Sequence, residues 1–209
     1  MNWYELDFWN SNEWEVICER LEDEEYCPGP ESLFYSMDVT PLEEVRCVIM
    51  GQDPYPNPSL AMGLAFSVPN IVRQAIPPSL RIIFHELVND VHCPFPTTTD
   101  LTPWARQGVF LWNAVPTCRY WESMSHDWEE WSRLTMEIVR RLNERGCVFV
   151  FVGSVARRFA HQVDNRSEFL ATAHPSPRGS FNDKPFRGNR LFSWINDTLG
   201  QNPIDWRLP

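Results

Sequence analysis

The sequence predicts a single-domain, three-layer α/β/α fold built on a central four-stranded parallel sheet. Four short apolar runs rich in β-branched and aromatic residues recur along the chain, and stretches with apolar residues at helical spacing lie between them. At 209 residues the chain is long enough for one sizeable core and short for two.

In chain order, residues 1–43 are expected to form a helical segment packing on this domain, and residues 45–50 the first buried strand. A helix over 79–91 follows a Pro-Pro start and puts Leu80, Ile83, Phe84 and Leu87 on one face. The second strand is 109–115. A helix over 128–142 then repeats the pattern with Trp131, Leu134, Ile138 and Leu142. Strands 148–152 and 168–173 enclose a shorter helix over 154–162, and a last helix over 189–199 closes the alternation. Strands alternating with helices give a parallel sheet covered on both faces, and such folds bind ligands beyond the carboxyl ends of the strands.

The net charge of -10 argues against a protein that coats nucleic acid through bulk electrostatics. Read locally, acidic residues crowd the N-terminal third, while Arg178, Lys184, Arg187 and Arg190 cluster near the other end and leave room for a local basic patch. No apolar run approaches the roughly 20 residues that span a bilayer, and the first residues lack the basic character of a secretory or transit segment. A cytoplasmic location is expected, with association to the nucleoid or, for a viral protein, the host nucleus. The six cysteines lack metal-site spacings, so free thiols and no metal are expected.

Polar or turn-rich segments follow three of the strands and bring Asp53, Asn113 and His174 to one rim. A carboxylate, a two-sided amide and a group titrating near neutrality form a set suited to hydrolysing a polar ring substrate. On spacing alone, turn and capping roles fit each of them somewhat better.

The local sequences decide between these readings. Gly51-Gln52-Asp53-Pro54-Tyr55, followed by Gly63-Leu64-Ala65-Phe66-Ser67, resembles the water-activating loop of family-1 uracil-DNA glycosylases, and His174-Pro175-Ser176-Pro177 resembles their DNA-intercalation loop. Ile76-Pro77-Pro78-Ser79-Leu80, Gly108 through Asn113, and Ser125-His126 are similar to further segments of that family. The resemblance implies that Asp53 positions the attacking water and stabilises a cationic sugar, and that His174 stays neutral and donates to uracil O2. It implies that Asn113 reads uracil O4 and N3–H, Phe66 stacks on the flipped ring, Tyr55 excludes the thymine methyl, and Gln52 lines the pocket wall. It places Pro77, Ser79, His126, Ser176 and Arg178 against DNA. No metal or organic cofactor is implied.

Two departures stand out. Arg178 occupies the wedge position usually held by leucine, and Pro56 replaces a histidine common after the tyrosine, which should stiffen that loop. The expected partners are uracil-containing DNA, single- or double-stranded, and a protein inhibitor that mimics DNA charge, with the enzyme a monomer. A same-fold glycosylase for another damaged base and a non-catalytic DNA-binding module are the rival readings.

Overall fold

The computed structural model describes residues 2–70, 76–176 and 185–209. Arg178, Lys184 and Pro177 lie outside the described residues. The strands are β1 (Tyr26–Cys27), β2 (Cys47–Gly51), β3 (Val109–Asn113), β4 (Cys118–Arg119), β5 (Val148–Val152) and β6 (Phe169–Thr172). The helices are α1 (Glu13–Leu21), α2 (Tyr35–Val39), α3 (Pro78–Val91), α4 (Thr102–Ala105), α5 (Glu129–Glu144), α6 (Gly153–Arg157) and α7 (Leu191–Leu199).

A four-stranded sheet in the order β3-β2-β5-β6 pairs in parallel throughout. Its two inner strands are buried along their whole length, which is why they read as unbroken apolar runs rather than alternating ones. The period-2 alternation instead divides two apolar faces. Cys47, Ile49, Val109, Leu111, Val148 and Val150 meet the apolar stripes of α3 and α7 together with Trp104, Ile204 and Trp206. Val48, Met50, Phe110, Trp112, Phe149 and Phe151 meet Trp131, Leu134, Ile138 and Leu142 of α5. The same second face buries Trp3, Leu6, Phe8, Ile17 and Leu21, so the N-terminal segment covers the sheet beside α5.

The expected elements recur with shifted ends, and the differences have local causes. The helix expected over 154–162 breaks after α6, because Arg158 and Phe159 bond three residues back, to Val155 and Ala156, and a 3-10 turn at Ala160–Gln162 follows. The antiparallel β1–β4 pair has two residues on each side, too few for any alternation to register. Helix α1 offers only Ile17 and Leu21 as fully buried positions among charged neighbours.

Register aligns the carboxyl ends of the strands. Gly51 pairs with Asn113, and Val152 pairs with Thr172. The chain leaves β2 toward β3 and leaves β5 toward β6, so connections diverge from the two inner strands, and a crevice opens between their ends. Beyond it, α3 anchors the chain that enters α7. Buried Glu86 accepts from the backbone N–H of Gly188 (2.6 Å) and Arg190 (2.9 Å), and Asp90 accepts from Ser193 N (2.8 Å), capping α7 in trans.

Candidate active site

Asp53 leaves the end of β2 with its carboxylate held on both oxygens. Oδ1 accepts from Gln52 Nε2 at 2.9 Å, and Oδ2 accepts from Ser123 Oγ and from Met124 N, each at 2.7 Å. Three of the roughly four acceptor positions of a carboxylate are thereby used, which fixes its plane and leaves capacity for a water. Gln52, expected as pocket wall, turns its amide onto Asp53, while its main-chain carbonyl accepts from Val115 N at 2.9 Å.

Asn113 ends β3 beside Gly51. A Cβ at Gly51 would stand 2.7 Å from Asn113 Oδ1 and 3.2 Å from two atoms of the Phe66 ring, so only glycine lets the amide and the ring approach the strand end this closely. Phe66 itself has φ 65°, the left-handed region that a bulky side chain rarely adopts. Flanking bonds hold it there: Ala65 N donates to Leu111 O (3.1 Å), and Ser67 Oγ accepts from Leu101 N (2.9 Å). The His174 ring lies 6.1 Å from the Phe66 ring, and Gly153 at the end of β5 admits it, since a Cβ there would come within 3.2 Å of His174 Cβ.

Neither the Asn113 amide nor the His174 imidazole makes a hydrogen bond to another described residue, which separates both from the turn and capping roles open to them in sequence. Burial pushes the His174 pKa below the ordinary histidine value against the opposing pull of the Asp53 charge. A neutral imidazole is therefore the resting form at pH 7, and it can donate one N–H without bringing a full positive charge into the pocket.

Tyr55 is partly buried, and its hydroxyl meets Ser79 Oγ at 2.8 Å and donates to Phe66 O at 3.4 Å. Burial raises its pKa, so the phenol stays neutral. Ser79 lies in the first turn of α3, and the link ties the residue expected to gate uracil C5 to the segment expected to hold phosphate. In this segment Pro77 is buried, Pro78 exposed and Ser79 half-buried. Ser176 follows β6 with its N–H on His174 O at 2.8 Å. Arg178 lies outside the described residues.

His126 corrects the sequence expectation. Its side chain is fully buried and stacked on Trp128, with Nε2 2.7 Å from Glu24 and Nδ1 2.9 Å from Thr117. The Glu24 carboxylate can only accept, so Nε2–H donates to it, and Nδ1 of the neutral ring accepts from the Thr117 hydroxyl, whose oxygen in turn accepts from Trp131 Nε1. Both nitrogens are spent inside the protein, and none is left for a phosphate. Glu24, 102 residues away in sequence, carried no signal of this partnership.

Burial lowers the His126 pKa, as it does that of His174. An unfolded histidine titrates near 6.5, so below about pH 6.5 the unfolded chain binds more protons than the folded one, and stability falls with pH. The melting temperature is expected to decline from pH 7 to pH 5, with a shallower slope in His126→Gln. A wild-type melting temperature that is flat or rising toward pH 5 would contradict buried neutral imidazoles.

A family model described as the uracil DNA glycosylase superfamily matches residues 37–200. The chain belongs to this superfamily. It is 40% identical over 199 residues to the uracil-DNA glycosylase of Acinetobacter baylyi, covering 92% of this chain and 83% of that one. Against the Bacillus velezensis uracil-DNA glycosylase the identity is 39% over 201 residues, covering 93% and 87%. The crystal structure of mimivirus uracil-DNA glycosylase superposes with a TM-score of 0.85 at 28% identity, covering 97% of this chain and 85% of that one. A mimivirus Y322L variant solved in complex with UGI gives the same score. The activity is that of a monofunctional uracil-DNA glycosylase, which hydrolyses the N-glycosidic bond of uracil in DNA and leaves free uracil and an abasic site, the first step of base excision repair.

Proposed function

We propose that this activity is divided among the residues of the rim as follows. Asp53 orients water toward the sugar and stabilises the positive charge that develops there, while neutral His174 donates to the uracil oxygen that gains negative charge as the bond breaks. Asn113 presents one donor and one acceptor to the O4 and N3–H edge, a pattern mismatched by the amino group and bare N3 of cytosine. Phe66 supplies the stacking surface. Tyr55, pinned by Ser79 and Phe66 O, closes the space that a C5 methyl would need.

The observation that carries this reading is a fixed carboxylate at the end of β2 together with two polar groups, unbonded to other described residues, that flank one aromatic ring at the carboxyl edge of the sheet. In metal-free buffer, a labelled oligonucleotide with one uracil is expected to become alkali-sensitive at that position. Cytosine and thymine controls stay intact, each discriminated by at least about 100-fold, cytosine through the cost of unmatched buried hydrogen bonds at Asn113 and thymine through the clash of its C5 methyl with Tyr55. Comparable cleavage of cytosine or thymine would overturn the assignments of Asn113 or Tyr55.

The protein is proposed to act as a monomer. A protein inhibitor that mimics DNA charge is proposed to bind the same mouth, a reading supported by the mimivirus variant solved with UGI.

A further inference from the structure

We infer that Ser123 is a positioning residue for catalysis, holding the Asp53 carboxylate in its working plane from a loop about seventy residues further along the chain. The inference rests on the role of Asp53 proposed above. Gln52 restrains Oδ1, but as the neighbouring residue it moves with the same turn. The restraint on Oδ2 comes from elsewhere: Ser123 Oγ and Met124 N both donate to it at 2.7 Å, lengths typical of hydrogen bonds to a charged oxygen.

The loop that carries them is built against its own steric preference. Trp121 and Met124 bracket Ser123 with φ of 64° and 63°, a region that bulky L-residues avoid. Such conformations persist where surrounding contacts over-determine them. Here Tyr120 N donates to Glu25 O (3.0 Å), Trp121 N donates to Pro56 O (2.8 Å), and Arg119 N donates to Ser125 Oγ (2.7 Å). At its base the buried His126, bonded to Glu24, fixes the residues that follow. Pro56 thus serves the catalytic turn through its carbonyl: it has no N–H to give, and it receives the loop that delivers the Ser123 hydroxyl.

This arrangement has a consequence for the reaction. A carboxylate free to rotate would meet the developing sugar cation and the water in several orientations, and only some of these are productive. Ser123 is exposed, and among the described residues its hydroxyl bonds to Asp53 alone, so its replacement tests orientation rather than folding.

The experiment is steady-state kinetics on a uracil oligonucleotide with wild type, Ser123→Ala, Ser123→Thr, Asp53→Asn and the Ser123→Ala/Asp53→Asn double variant. Ser123→Ala is expected to lower kcat about tenfold with KM unchanged, as for loss of one charge-assisted hydrogen bond acting in the transition state. Ser123→Thr, which keeps the hydroxyl, should restore most of kcat. In the Asp53→Asn background Ser123→Ala should have little further effect, because residues acting as a unit are not additive. Unchanged kcat in Ser123→Ala while Asp53→Asn is severely impaired would overturn this inference alone. Full activity of Asp53→Asn would instead overturn the role of Asp53 on which it rests. A Ser123→Ala loss of equal size in both backgrounds would assign Ser123 to some path other than Asp53.

Discussion

Asp53→Asn is expected to lower the single-turnover rate of uracil release by about 10² to 10⁴, the range for loss of a positioned group that acts on charge or proton in the transition state. The substitution is nearly isosteric, and its neighbours allow it to keep its place. An asparagine Oδ1 can still accept from Ser123 Oγ and Met124 N, which hold Oδ2 at 2.7 Å in the native residue, and Gln52 can turn its own amide to accept from the new Nδ2. What disappears is the negative charge. The loss should therefore fall on the chemical step, with binding of uracil-containing DNA retained or slightly improved, since a half-buried carboxylate also repels the phosphate backbone. Measuring single-turnover rate and DNA affinity together separates the two. A variant that binds weakly but reacts at the native rate once bound would move Asp53 from the reaction to the interface.

Much of this site was legible in sequence because its residues sit where strands end. Burial makes β2, β3 and β5 read as apolar runs, and the first polar residues beyond them, Gln52, Asp53 and Asn113, mark the rim without any coordinates. The motif resemblance then set Tyr55, Phe66 and His174 apart from ordinary core and loop residues. The missed parts share a different physical character. Ser123 and Met124 reach Asp53 from a loop that no periodicity announces, and Met124 does so with its backbone, which has no side-chain signature. Gly51 and Gly153 matter through the space they leave for Asn113, Phe66 and His174, and a missing side chain at a strand end carries no pattern of its own. His126 was misplaced for the converse reason. Ser125 and Asp127 on either side of it are half-buried and exposed, but its imidazole is turned inward by Glu24 and Thr117, partners that only the folded chain supplies. The N-terminal segment was expected to pack on the domain, but which of its residues do so was not legible, because the buried side chains Trp3, Leu6, Phe8 and Ile17 are spread over 3-10 turns and a charged helix rather than one clean stripe.

His174→Leu is expected to cost about 10² to 10³ in the rate of bond cleavage, the usual loss when one preorganised donor to a developing oxyanion is removed. The replacement preserves volume beside Phe66 and Gly153, where the wild-type ring packs 6.1 Å from the phenyl centroid, so pocket shape and uracil stacking should survive. The decisive measurement compares uracil with 5-fluorouracil, whose electron-withdrawing substituent stabilises the departing anion by itself and so leaves less for an external donor to do. The fluorine is close to hydrogen in size and should pass Tyr55, whose hydroxyl is fixed by Ser79 at 2.8 Å. If His174 stabilises leaving-group charge, the penalty of His174→Leu shrinks markedly on 5-fluorouracil, while Asp53→Asn, which acts on the sugar side, keeps most of its penalty with both bases. An equal His174→Leu penalty on the two substrates would mean that the imidazole acts before the bond breaks, by holding the flipped base, and its neutral state would then serve binding rather than departure of the anion.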